Sequence, residues 1–141
     1  MAERALLLVV RTPRETVAEL ALQSLRVASD TGQVGLRPGC EASVLAVEPG
    51  LALAATAEGV RFLATAGGVL RCDGRRALLL SPVAVVGDDP ESVIRALGNA
   101  LATAAADAAL RRAIERLETG VLRELRRHSG EARAAGTEGG R

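Results

Sequence analysis

At Gly87-Asp88-Asp89-Pro90 the hydrophobic period of the chain changes, and this limits the folds open to it. Upstream, short apolar runs alternate with Gly, Pro and Asp turn signals, a pattern that suits strands. Downstream, Val93, Leu97, Leu101 and Ala104 fall at three- and four-residue spacing, and Leu110, Ile114, Leu117, Val121 and Leu125 carry the stripe on. That spacing is one face of a helix. Asp89 is a good N-cap, and Pro90 fits the first helical position, where its missing N–H costs nothing. The expectation is an all-β antiparallel sandwich or flattened barrel over residues 1–88 and a helical appendage over 89–128. A Gly/Ala-rich, charged tail over 129–141 is expected to be disordered.

Within the β part, Ala5–Arg11 reads as a strand closed by Thr12-Pro13, and Val83–Val86 as the last strand. Leu51–Ala57 and Val60–Ala66 meet at Glu58-Gly59, and Val69–Cys72 and Arg76–Ser81 meet around Asp73-Gly74. Asp-Gly between apolar runs is a strong hairpin signal, because both central residues must tolerate positive φ. Gly32–Gly50 places two Pro-Gly turns, Pro38-Gly39 and Pro49-Gly50, around Val44–Val47. Pro presets the first central residue of a type II turn and Gly supplies the positive φ of the second. The run between them is too short for a helix and fits a buried strand. Thr16–Ala21 and Leu25–Ala28 are further strand candidates, with helix as the competing reading of Arg14–Leu25.

Composition removes several functions. Phe62 is the sole aromatic residue, so the core must be Leu, Val and Ala, which fill thin layers better than a broad ligand cavity. A net charge of +1 argues against a dedicated nucleic-acid binder. All 18 basic residues are Arg, which fits a GC-rich coding bias and, alternatively, bidentate pairing at interfaces. Cys40, Cys72 and His128 lack metal-ligand spacing. The sequence leaves a Cys40–Cys72 disulfide open, with reduced thiols as the default. Ala5–Val10 is shorter than a signal h-region, and no strand run is long enough to span a bilayer. The chain is read as soluble, with any membrane association made through a partner.

No catalytic set is present: no nucleophile beside a His, no HExxH, no Walker loop and no GxGxxG. Asp88 and Asp89 are explained by helix capping. No cofactor is expected.

The pattern Gly32-x-φ-Gly35-φ-x-Pro38-Gly39, followed by an apolar strand and Pro49-Gly50, resembles the epsilon subunit of F-type ATP synthases, called delta in mitochondria. Ala66-Gly67-Gly68-Val69-Leu70 and Asp88-Asp89 match the same family in order, so the resemblance covers roughly Ala5 to Asp89 by motif and the helical part by architecture. It favours strand over helix for Arg14–Leu25. It implies a non-catalytic central-stalk subunit that couples the gamma subunit to the membrane rotor ring, for ATP synthesis driven by proton or sodium transport. Such a protein sits peripherally on the cytoplasmic side of the inner or plasma membrane, as part of the complex. By motif position, the interface with the rotor ring and gamma would comprise Asp30, Gly32, Gln33, Gly35, Pro38, Gly39 and Cys40, with Gln33 facing the ring and Cys40 lying towards gamma. The family usually has His where this chain has Cys40, which leaves the gamma contact at that residue open. A tight structural corner is the competing reading of this loop.

The resemblance also implies a helical hairpin that can rise to meet the catalytic alpha and beta subunits and restrain hydrolysis. Arg111, Arg112, Arg116 and Arg123 are the candidate contacts, on a stretch where six Arg against three Glu leave +3 over Leu110–His128. A solvated charged face explains the same residues. The helices read either as a hairpin, with Gly98 and Gly120 as candidate hinges, or as one long helix, and Asp107 is a candidate second cap. His128 reads as a favourable charge near a helix C-terminus. Some bacterial relatives bind ATP through an acidic-x-x-Arg-Ala element. Glu91-Ser92-Val93-Ile94-Arg95-Ala96 has one residue too many, which rotates the carboxylate by about 100° on a helix, so no ATP sensing is expected. Two other classes remain: a free-standing β-sandwich binding module that oligomerises through the Leu110–Leu125 seam, and a small hydrolase.

Overall fold

Strict alternation builds the β part. In β1 (Leu6–Arg11), Leu6, Leu8 and Val10 are wholly buried, Leu7 and Val9 are half-buried and Arg11 is exposed, as a strand with one face on a core requires. The computed structural model describes residues 4–138, with side-chain surroundings described as far as Gly130. Nine strands follow: β2 (Thr16–Leu22), β3 (Ser24–Ser29), β4 (Gly32–Leu36), β5 (Ser43–Val47), β6 (Gly50–Thr56), β7 (Gly59–Thr65), β8 (Gly68–Cys72), β9 (Arg76–Leu80) and β10 (Ala84–Gly87). One helix, α1 (Pro90–Glu138), ends the described chain.

The strands form one sheet in the order β10-β7-β6-β3-β5-β8-β9-β1-β2, with β4 beside β3. It curls into a nearly closed barrel, so few strand edges remain to template aggregation. Its core is aliphatic, as the composition requires: Leu8, Leu22, Leu25, Leu63, Leu70 and Leu79 are at most 1% exposed. Among the described residues, β1–β9 is the parallel pair, with Leu8 opposite Ala77 and Val10 opposite Leu79. All other recorded pairings are antiparallel.

The expected fold class holds, with corrections of detail. Gly32–Leu36 is a strand rather than part of a loop, because β3 supplies a continuous partner from Ser29↔Gly32 to Leu25↔Leu36. The Val44–Val47 run is buried on one face alone: Val47 is 7% exposed but Val44 is 68% exposed. The helical part is one helix, so the long-helix alternative is the one observed. Gly98, Gly120 and Asp107 all lie within it. Two glycines cost about 2 kcal/mol together, too little to break a run otherwise rich in Ala, Leu, Arg and Glu. The helix continues across the Gly/Ala-rich stretch to Glu138, and residues 139–141 of the expected tail lie outside the described residues. His128 therefore stands ten positions before the last helical residue, and its partner is Glu124, with Nε2 3.6 Å from Oε1.

The helix start is capped as expected. The Asp89 carboxylate accepts the Ser92 N–H at 2.9 Å and the Ser92 hydroxyl at 2.7 Å. The hydroxyl bond and then the amide bond hold its pKa below the usual carboxylate value. Val93 is 2% exposed and packs against Gly87, where an added Cβ would lie 2.7 Å from its Cγ1. The chain divides into two units between Ala102 and Thr103.

Candidate interaction site

The residues Asp30 to Cys40 occupy two adjoining structures. Asp30-Thr31 is the tip of the β3–β4 hairpin, and the hydroxyl of the buried Ser29 holds it. Ser29 Oγ donates to the Gly32 carbonyl at 2.8 Å and accepts the Thr31 N–H at 3.2 Å. Asp30, Gly32, Gln33 and Gly35 are all exposed, so this end of the hairpin is accessible to a partner.

The second structure is the turn Arg37-Pro38-Gly39-Cys40. Cys40 N–H donates to the Arg37 carbonyl at 3.0 Å, and Gly39 has φ +81°, as a type II turn demands. Gly39 N–H donates to the Gly74 carbonyl at 2.7 Å, which pins this turn to the β8–β9 turn. That second turn is itself held by Asp73, whose Oδ1 accepts the N–H groups of Arg76 at 2.7 Å and Arg75 at 2.9 Å. Those two bonds, Arg76 first, keep the Asp73 carboxyl below its usual pKa. The Cys40 and Cys72 sulfurs lie 3.0 Å apart between the turns, both as free thiols. Burial, followed by the hydrogen bond with Cys40, pushes the Cys72 thiol up.

The sequence reading missed an apolar patch on the outer face of β5, β8 and β9. Val44, Val69 and Leu80 are 68%, 48% and 50% exposed, and Val69 stands directly opposite Leu80. The signal was present: Val44–Val47 and Leu78–Leu80 are continuous apolar runs rather than alternating ones. Such runs mark strands covered on both faces. The core covers one face, and the other is bare in the isolated chain.

On the helix, Leu110, Ile114, Leu117, Val121, Leu122 and Leu125 are 44–69% exposed. Arg111, Arg112, Arg116 and Arg123 are exposed along the same stretch. The stripe from Leu110 to Leu125 is therefore an exposed apolar seam.

Elsewhere, an open, shallow cleft is lined by Leu20, Val60, Arg61 and Asp88 among others. Arg61 Nε lies 2.8 Å from Asp88 Oδ1 as an ion pair, not an aligned hydrogen bond. Among the described residues, no three His, Cys, Asp or Glu side chains converge on a metal position.

No family model matches the sequence, and neither does any curated protein. Among solved structures, the chain is similar to one from the Euglena gracilis mitochondrial ATP synthase (OSCP/F1/c-ring in rotational state 1). The identity is 20% and the TM-score 0.55, over 71% of this chain and 66% of that one. The chain thus spans just under two thirds of the length of that relative. A second likeness, to the central stalk and c-ring of the Tetrahymena thermophila mitochondrial ATP synthase, has 12% identity over 60% of this chain and 68% of that one, with a TM-score of 0.46. At 20% identity, what the chain shares with the Euglena gracilis chain is the fold.

Proposed function

We propose that this chain is a non-catalytic central-stalk subunit of a rotary ATP synthase, equivalent to bacterial epsilon. The observation that carries the reading is the fold: a nearly closed barrel joined to one long helix, similar to a chain from a mitochondrial ATP synthase assembly. The ordered Gly and Pro-Gly motifs point to the same family independently of the fold. The role is mechanical: the subunit clamps gamma to the rotor ring so that torque passes between ion flow and nucleotide chemistry.

In this reading the β3–β4 tip, with Asp30, Gly32, Gln33 and Gly35, meets the polar loops of the rotor ring. The turn at Pro38, Gly39 and Cys40 meets gamma, together with the neighbouring patch of Val44, Val69 and Leu80. Arg111, Arg112, Arg116 and Arg123 engage acidic segments of the catalytic subunits and restrain hydrolysis through charge-assisted pairs. Reversing Arg112 and Arg116 to Glu weakens that restraint, and unchanged inhibition would remove this part of the proposal.

Membrane contact is proposed to run through partners. Helix α1 is long and apolar enough to cross a bilayer by length and composition, with mean hydropathy 1.2 in its most apolar window. Yet the apolar stretch Val93–Leu110 includes Arg95, Asn99 and Asp107. Between Arg95 and Asp107, only Leu97 and Leu101 are strongly apolar, each returning at most about 0.6 kcal/mol, and the rest is Ala, Gly, Asn and Thr.

Purification of the rotary ATP synthase from the source cell tests the reading. One copy of this chain per complex, released together with gamma, is expected. A purified synthase that lacks the chain while the cell expresses it would refute the assignment.

The exposed Leu110–Leu125 seam favours a second reading, a free-standing module that self-associates through its helix. Mass measurement separates the two: a stable homo-oligomer, lost on Leu117→Glu, supports the module.

A further inference from the structure

We propose that Cys40 and Cys72 form a modification site, a thiol pair that a peroxide converts to an intramolecular disulfide. The inference does not depend on the stalk reading. Their sulfurs are 3.0 Å apart although the residues are 32 positions apart in the chain, so only about 1 Å separates contact from a bond of about 2.04 Å. Both partners sit on restrained backbone. Cys72 is the last residue of β8, and the turn before Cys40 is tied by Gly39 N–H to the Gly74 carbonyl at 2.7 Å. Gly74 permits this approach: a Cβ there would stand 2.7 Å from the Cys40 carbonyl oxygen, in a backbone conformation with φ +91°.

The two thiols are unequal, which orders the chemistry. Cys40 is half-buried and meets oxidant first, while Cys72 is 2% exposed. The Cys40 thiolate attacks a peroxide oxygen, the O–O bond breaks, and a sulfenic acid and one water form. Cys72 then attacks the Cys40 sulfur; the S–O bond breaks, an S–S bond forms, and the hydroxyl leaves with the Cys72 proton as a second water. Two thiols are oxidised and hydrogen peroxide is reduced to two waters. The chain has two cysteines in all, so no third thiol competes within the molecule. The bond fixes the Pro38-Gly39 turn covalently to the β8–β9 turn.

The test treats the reduced full chain with one equivalent of hydrogen peroxide. Thiol titration, intact mass, a non-reducing gel and thermal unfolding are the readouts. Both thiols should disappear together, with a mass lower by two hydrogens and no dimer. Tm should rise by about 10 °C, since a closed loop of this length restricts the unfolded chain, and dithiothreitol should reverse every change. C72S should instead gain oxygen at Cys40 or form dimers, with no rise in Tm. C40S should stay reduced. Where C72S does not fold, C72A serves in its place. A parent chain that gains oxygen at Cys40 while Cys72 stays titratable, that dimerises, or whose disulfide lowers Tm would overturn the proposal.

Discussion

The β unit and the helix beyond Ala102 treat their hydrophobic residues in opposite ways. In the barrel, Leu8, Leu22, Leu63 and Leu70 are at most 1% exposed, and the turns between strands are tied to one another by backbone hydrogen bonds. Along the helix, an equally regular stripe from Leu110 to Leu125 is largely exposed. The same aliphatic residues are a completed core in one region and an unmatched surface in the other. Regular spacing therefore predicts secondary structure in both regions, but burial within the chain in only one. Strand β5 shows the same distinction on its own, with Val47 buried and Val44 exposed.

Truncation tests this contrast most strongly. Leu70→Ala should cost the isolated chain about 2–5 kcal/mol, as for other buried leucines. Leu117→Ala should change stability by less than about 0.5 kcal/mol, as for exposed sites. Denaturant unfolding of the full chain measures both, and equal losses would mean that the helix stripe is covered in solution. Gly68→Ala should have the next largest effect. A Cβ there meets the Leu80 carbonyl in a backbone at φ +153°, and the loss should exceed about 1 kcal/mol. A neutral result would show that β8 and β9 can separate without cost.

The helix should respond in the opposite sense. Nothing lies within 4 Å of a Cβ built at Gly98 or Gly120, so Gly120→Ala should stabilise the helix by up to about 1 kcal/mol. Slower amide exchange around residue 120 is the readout, and faster exchange would mark a bend that needs the glycine. The smallest effect is acidic. Asp73 and Asp89 both have lowered pKa values in the folded chain. Their contribution is full above the unfolded Asp value of about 3.9 and fades as pH falls through the folded values beneath it. Asp73→Ala and Asp89→Ala should each flatten the fall in Tm on that acid limb. A slope equal to the parent's would mean that the turn and cap bonds survive protonation.

Local chemistry was the legible part of the sequence. Pro38-Gly39 and Asp89-Pro90 each state a dihedral or a capping bond within a few residues, and each is found as read; Asp73-Gly74 closes its hairpin as expected, but only Gly74 takes positive φ, at +91°, while Asp73 works through its carboxylate, which accepts the Arg75 and Arg76 N–H groups. What needed distant partners was hidden. The β1–β9 pairing joins residues such as Leu8 and Ala77, and no local pattern encodes it. Strand β4 carries Gly32, Gln33 and Gly35, residues that alone argue for a loop, and only pairing with β3 makes it a strand. The contact of Cys40 with Cys72 is of the same kind. For the candidate site, the motif marked a turn that the chain does form at Pro38-Gly39, but the outer patch beside it required knowing which strand faces turn inward.

Binding of the full chain to the gamma subunit from the same cell tests the central claim most directly. A variant with Pro38→Ala and Gly39→Val should be measured beside it, because Val at φ +81° breaks the turn while leaving the barrel strands in place. The stalk reading predicts one-to-one binding by the parent and at least about tenfold weaker binding by the variant, or roughly 1.4 kcal/mol, with the β signature intact. A well-folded parent chain that does not bind gamma would contradict it.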